Sequence, residues 1–195
     1  MKELIMDRYS WLLQKLSSDK KILDIGCADA IIWKELGWYG RENLVLVDIN
    51  EFDHPFFCVA DAHNLPFENK SFDIVILAEI LEHVRDPQKV LKEASRIARE
   101  KILITVPDEE NWISLYYPKM PAWYKLILEG GSFLEIVQRA NPGIIRVGDP
   151  LQLFHVRYYT EDSLKNELEN ACLKNYEMVR LIYNGYAFFA VEVFL

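Results

Sequence analysis

The sequence predicts an α/β domain in which a doubly wound, mostly parallel sheet ends in an antiparallel last strand. Three observations predict it. Short β-type runs alternate with helical runs from Lys21 to Val106, the pattern of parallel strands joined by crossover helices. Near the end, Asn184-Gly185 separates two apolar runs, a strong signal for a two-residue hairpin. The length of 195 residues suits one domain, 1–195, with a core large enough to fold unaided.

The elements follow in order. Leu4, Ile5, Tyr9, Leu12, Leu13 and Leu16 recur at helical spacing and predict an amphipathic helix from about Lys2 to Ser17, packed on the sheet. KILDI (Lys21 to Ile25) is the first predicted strand, followed by a helix toward Leu36. NLVLVD (Asn43 to Asp48), FFCVAD near Phe57 and FDIVIL (Phe72 to Leu77) supply the next three strands. Pro87 suits the first turn of a helix, where its missing N–H has no partner to lose, and that helix runs to Arg99 before KILITV (Lys101 to Val106). The last part holds a helix from about Thr160 to Ala171, a strand around Met178 to Tyr183 and the final strand YAFFAVEVF. The count is seven strands, six parallel and the last antiparallel. Between them, from about 108 to 154, no period holds for long and Pro118, Pro121, Pro142 and Pro150 break the chain, so this stretch reads as an insertion or lid with a helix around Phe133 to Arg139.

Composition narrows the function. Lys and Arg number 22 against 30 Asp and Glu, a net charge of −8, opposite in sign to the basic footprint of a nucleic-acid binder. Cys27, Cys58 and Cys172 are odd in number and scattered, which argues against a disulfide framework and for a reducing cytoplasm. Neither a signal peptide nor a run of about 18 apolar residues is present, so no membrane span is expected.

The strand ending in Asp24 runs into Gly26-Cys27-Ala28-Asp29-Ala30. Small residues there let the backbone approach a nucleotide-type ligand, and free N–H groups at the next helix can face a carboxylate or phosphate. Asp48 closes the second strand some 20 residues later, where a carboxylate can accept both hydroxyls of a ribose. The same residues also fit an ordinary doubly wound domain that binds no ligand.

LDIGCADA, LVDIN, DAHNLPFENKSFDIVILAEILEHVRDPQKVLKEASRIA and LITVP occur in this order with suitable spacing. The series resembles the class I S-adenosylmethionine-dependent methyltransferases, closely from about Lys21 to Pro107, and FHVRYYTEDSLKNELENA (Phe154 to Ala171) is similar to that family's common helix after the insertion. The resemblance implies a Rossmann-like methyltransferase fold, S-adenosylmethionine as cofactor, and methyl transfer to an oxygen, ahead of a nitrogen, of a small-molecule acceptor. It implies that Asp24 and Gly26 shape the methionine end of the cofactor, with Cys27 and Ala28 in the same turn. Asp48 would hold the ribose, Asp61 would reach the adenine amino group with the backbone of Ala62 beside it, and Ile49 would pack on the ring face.

Three departures from the family pattern stand out. Ala28 and Ala30 replace the second and third glycines of the usual GxGxG turn. About eight residues separate Asp48 from the Phe57 strand, too few for a crossover helix of ordinary length, which predicts an open adenine side. Arg99-Glu100-Lys101 stands where Pro-Gly-Gly is common, which reads as a shortened loop.

Glu79, Glu82 and His83 lie just past the fourth strand, at the edge where open α/β sheets bind ligands, and His155 follows much later. We assign the catalytic role to His83, with Glu79 and His155 beside it, and assign no metal. Three readings of His83 stay open: a general base or orienting group, a structural hydrogen-bonding role, and one ligand of a cation held with Glu79, Glu82 and His155, a set that resembles the metal sites of small-RNA 2′-O-methyltransferases and some quinone-pathway O-methyltransferases. Trp112, Tyr116, Tyr117, Trp123 and Tyr124 either wall the acceptor pocket, form a satellite core beneath a long loop, or make an oligomer interface. Cys27 reads as a buried filler, and His54 and His63 receive no role. The rivals are a metal-assisted small-RNA 2′-O-methyltransferase, disfavoured by charge; a nicotinamide oxidoreductase, disfavoured by the missing GxGxxG; and a non-enzymatic S-adenosylmethionine-binding regulatory protein, favoured by Ala28 and Ala30.

Overall fold

Period-2 alternation along the strands decides which helices cover which face of the sheet. The computed structural model describes residues 1–108, 157, 159–184 and 186–195. Its elements are β1 (Lys2–Ile5), α1 (Arg8–Lys15), β2 (Ile22–Ile25), α2 (Ile31–Glu35), β3 (Leu44–Asp48), β4 (Phe57–Val59), β5 (Phe72–Ala78), α3 (Pro87–Ile97), β6 (Ala98–Pro107), α4 (Glu161–Asn170), β7 (Tyr176–Tyr183) and β8 (Tyr186–Phe194). The strands form one sheet in the order β1-β7-β8-β6-β5-β2-β3-β4. β8 runs antiparallel to both neighbours, and every other pairing is parallel.

Leu23 and Ile25 of β2, Val75 and Leu77 of β5, and Ile102, Ile104 and Val106 of β6 pack with Val90, Leu91 and Ala94 of α3 and Leu164 and Leu168 of α4. The intervening residues Ile22, Ile74, Ile76 and Leu103 face the other way, toward Trp11 and Leu12 of α1 and Trp33 of α2. Asp24 shares that second face, which fixes its surroundings. Glu192 of β8 stands among apolar neighbours on the sheet and is held there by Lys15 of α1 and, at 2.9 Å, by Lys101 of β6.

The doubly wound architecture and the antiparallel last strand are as expected, but the sheet has eight strands. The extra one is β1, cut from the N-terminal half of the predicted first helix. Helical spacing included Leu4 and Ile5, yet Ile5 is 92% exposed and pairs in register with Ile182 of β7. The helix starts only after Asp7, whose carboxylate accepts the Ser10 N–H at 2.9 Å as an N-cap. The α3 helix also stops two residues short of Arg99, because Ala98 already belongs to β6 and no loop intervenes at all. Between β3 and β4 there is no helix, as the short spacing required. Tyr183 pairs with Tyr186, and Asn184 takes the left-handed φ of +49° that a tight hairpin demands. Apart from Asp108, the expected lid over 108–154 lies outside the described residues, as do its aromatic side chains. Among the described residues no helix is long and apolar enough to cross a membrane.

Candidate functional site

The sheet order reverses at β2, whose neighbours are β3 on one side and β5 on the other. Connections leaving β2 and β5 diverge there and open a crevice beyond the carboxyl ends of the strands. In this crevice lies a cavity of about 770 Å³ lined by Gly26, Ala28 and Asp29 after β2, Asp48 to Phe52 at and after β3, Ala60 to His63 after β4, and Glu79, Ile80 and His83 to Arg85 after β5.

The turn after β2 is built by three left-handed residues. Gly26 takes φ +79°, donates its N–H to Val47 O at 2.8 Å, and has no room for a side chain: a Cβ would lie 2.6 Å from Ile80 Cδ1. Ala28 (φ +49°) and Ala30 (φ +54°) adopt the same region despite their methyl groups. Only the Ala28 methyl stands at the cavity, since Ala30 is fully buried against the α1 and α2 cluster. Cys27 is buried and borders not the main cavity but a smaller recess beside it; burial, with the carboxylates of Asp24 and Asp48 nearby, pushes its thiol far above the ordinary range.

Asp48 ties two loops together. Its Oδ2 accepts the Ala28 N–H at 3.0 Å and its Oδ1 accepts the Asn50 N–H at 2.9 Å, so the carboxylate is fixed at the cavity wall. Ile49, 56% exposed, lies along the same wall, and Phe52 joins it where a crossover helix would otherwise stand. Across the cavity Asp61 Oδ1 accepts two hydrogen bonds from His63, from its backbone N–H at 2.9 Å and its ring Nδ1 at 2.6 Å, and these bonds hold the Asp61 carboxyl below its ordinary range. Ala62 also lines the cavity.

Asp24 opens on a second space. Because it faces the α1 and α2 side, it lines not the main cavity but an adjoining recess of about 170 Å³, together with Arg8, Tyr9, Trp33 and Cys27; Gly26, Ala28, Asp29 and Glu79 border both spaces. Asp24 Oδ2 accepts the Trp33 indole N–H at 2.6 Å, and burial, with Asp48 nearby, pushes its carboxyl up to about 7. Arg8 brings a guanidinium to the same recess. One of its amino groups donates to Tyr9 Oη at 2.8 Å and the plane stacks near the Tyr9 and Phe188 rings, but its buried Nε has no partner among the described residues.

Glu79 and His83 both line the main cavity, whereas Glu82 is 1% exposed and does not. Glu79 takes a strained φ of +55°, and the His83 N–H closes a turn to Ile80 O at 2.9 Å. Arg157 clamps this loop by donating to the carbonyls of Val84 (3.1 Å) and Arg85 (2.8 Å), while Tyr159 Oη donates to Leu81 O at 3.5 Å. His155, assigned beside His83, lies outside the described residues, and among those described no three His, Cys, Asp or Glu side chains form a metal-holding group.

The reading of the sequence missed Arg8 and His63. Arg8 was hidden because Lys2 to Ser17 read as one helix with no special start; its signal was the Asp7-x-x-Ser10 cap, which sets Arg8 at the helix entrance. His63 had a local signal in Asp61-x-His63, the spacing at which an Asp side chain caps the backbone two residues on.

The family described as "methyltransferase domain" matches residues 1–178. The ubiquinone biosynthesis O-methyltransferase of Pectobacterium carotovorum is 23% identical over 154 residues, which cover 70% of this chain and 59% of that protein. The norajmaline N-methyltransferase of Rauvolfia serpentina is 45% identical over 42 residues, 22% of this chain and 14% of that protein. The chain thus spans less than two thirds of the length of either relative. The solved structure of a SAM-dependent methyltransferase from Methanosarcina mazei superposes with a TM-score of 0.60 at 18% identity, covering 97% of this chain and 98% of that one, which shows that the fold is shared.

Proposed function

The chain belongs to the methyltransferase-domain family, and from that premise we propose that it binds S-adenosylmethionine in the crevice beyond β2, β3 and β4 and transfers the methyl group to a hydroxyl oxygen, ahead of a nitrogen, of a small-molecule acceptor. The observation that carries the reading is that Gly26, Asp48 and Asp61, from three successive strand ends, line one cavity. Asp48 is poised to accept the ribose hydroxyls, Asp61 the adenine amino group, and Ile49 and Phe52 the apolar ring faces. The smaller recess fits the amino-acid end, with Arg8 to pair a carboxylate and Asp24 an ammonium.

When bound, the cofactor supplies an electrophilic methyl group on sulfonium sulfur. The protein's part is to hold the donor, to exclude water and to take the acceptor's proton, which we assign to His83 on the clamped loop after β5. Glu79, between both spaces, would orient the acceptor. Among the relatives, one name specifies oxygen and another nitrogen, so neither fixes the acceptor atom. The net charge of −8 supports a small-molecule acceptor over nucleic acid, and three free cysteines support a reducing compartment such as the cytoplasm. Calorimetry with S-adenosylhomocysteine tests the donor site: we expect saturable binding in the micromolar range, and no binding at millimolar ligand would overturn the assignment.

A further inference from the structure

We propose that His63 is the positioning residue for adenine recognition: it locks Asp61 so that a single carboxylate oxygen is presented to the exocyclic amino group of the bound nucleoside. The inference rests on the donor-site reading above and deepens it. Asp61 Oδ1 is engaged twice by the same residue, through the His63 N–H at 2.9 Å and the His63 ring Nδ1 at 2.6 Å. Asp61 Oδ2 has no hydrogen-bond partner among the described residues and belongs to a residue that lines the cavity. The ring is held at its far side as well. Asp86 N–H donates to His63 Nε2 at 3.4 Å, a long bond, and Asp86 is itself fixed as the N-cap of α3 by accepting the Lys89 N–H at 3.0 Å. A ring nitrogen that accepts must carry a lone pair, so with Nε2 accepting from Asp86 the ring proton stands on Nδ1, pointed at Asp61.

The consequence is chemical selectivity. A carboxylate whose donor-facing oxygen is fixed accepts from an amino group and meets the oxygen of a 6-oxo purine with lone pairs facing lone pairs. A carboxylate free to rotate would accommodate either, because a water could bridge the mismatch. Discrimination between adenine and a deaminated base therefore depends on His63, although His63 touches Asp61 and not the amino group.

The experiment is a titration with S-adenosylhomocysteine and, separately, with its 6-oxo inosine analogue, for the parent protein and for His63→Ala, His63→Asn and His63→Gln, with melting curves to confirm folding. The parent should prefer the adenine ligand by about tenfold or more, the range expected for a hydrogen bond to a charged group. His63→Ala and His63→Gln should lose most of that preference. In His63→Asn the amide nitrogen stands where Nδ1 stood, and the preference should return to within about threefold of the parent. A merely structural role would lower both affinities together and leave their ratio unchanged, and that result overturns the inference even if His63→Ala is unstable, since the Asn and Gln variants carry the comparison. Equal binding of the two ligands by the parent overturns it too. Failure of the parent to bind S-adenosylhomocysteine at all would instead overturn the donor-site reading, and this inference with it.

Discussion

The indole N–H of Trp33 donates to the carboxylate of Asp24 at 2.6 Å, with both side chains enclosed between the sheet and α2. One hydrogen bond does not offset the loss of water around a buried charge, so Asp24 is pushed up to about 7, the repulsion from Asp48 adding to burial. Burial thus favours the neutral acid at Asp24 well above the pH at which an exposed aspartate ionises. An ammonium group placed in the adjoining recess would favour the ionised form.

The contribution of Asp24 to stability should therefore fall as pH rises from about 4 to about 7. Asp24 in the folded protein binds its proton more tightly than in the unfolded chain, where its pKa is about 3.9, so its stabilising contribution is complete below about pH 4 and is lost as pH rises through about 7. The loss is on the order of a few kcal/mol. His54, whose pKa burial lowers, works in the opposite direction over part of this window. The clean comparison is with Asp24→Asn, which keeps an acceptor for Trp33 and has no charge to bury. The difference in melting temperature between variant and parent should grow in favour of the variant from pH 5 to pH 8; a constant difference would mean that Asp24 is ionised throughout.

The two alanines of the turn should part company when replaced by glycine. Ala28 and Ala30 both occupy the left-handed region, where a Cβ is unfavourable. Ala28 is exposed, so Ala28→Gly removes the strain and little packing, and should raise stability by about 0.5–1 kcal/mol, or a few degrees in melting temperature. Ala30 is buried among Trp33 and its neighbours, and Ala30→Gly trades the same relief for a lost core contact and should gain nothing. Melting curves of the two variants, read side by side, check this.

These cases show which features could be read from the sequence. The short apolar run of Ile22, Leu23 and Ile25 marked β2 without any tertiary knowledge, and Asp48 and Gly26 were identifiable because a strand end and a turn of small residues are local properties. Asp24 was harder. Its place on the strand was clear, but which face of the sheet it took depended on the packing of Trp33 from α2, so its position in the smaller recess could not be read from spacing. β1 was invisible for a related reason: Lys2 to Ile5 is a strand only because β7, nearly 180 residues away in sequence, offers it an edge. His63 needed both a local Asx turn and the N-terminus of α3, and only the first is written in sequence.

Arg8 should distinguish ligands by their amino-acid end. Arg8 lines the recess, which shares Gly26 and Ala28 with the main cavity. A carboxylate there would complete a charge-assisted hydrogen bond on the order of 1.5–3 kcal/mol, or roughly tenfold to a hundredfold in affinity. Arg8→Ala should lose that factor for S-adenosylhomocysteine and keep its affinity for 5′-methylthioadenosine, which has the nucleoside but not the amino acid. Equal losses for both ligands would show that Arg8 supports the fold of the recess and not the ligand's carboxylate.

His83 carries the last prediction. It lines the cavity on a loop whose Val84 and Arg85 carbonyls are held by Arg157, so its backbone is pre-positioned beside an acceptor in the cavity. A general base must be neutral at the working pH, because a protonated imidazole has no lone pair to offer. Transfer of labelled methyl from S-adenosylmethionine to a panel of small hydroxyl and amine acceptors should then rise with pH to a plateau, and His83→Ala should lower the plateau by about 10²–10⁴-fold and remove the inflection. Its affinity for S-adenosylhomocysteine should stay within about twofold of the parent, since nothing assigns His83 to the donor side; a larger loss would place it among the donor contacts. Activity should survive EDTA. If chelation abolished transfer and a divalent cation restored it, the cation would be activating the acceptor hydroxyl in place of a protein base, with His83 neutral as its ligand and not as the proton's destination.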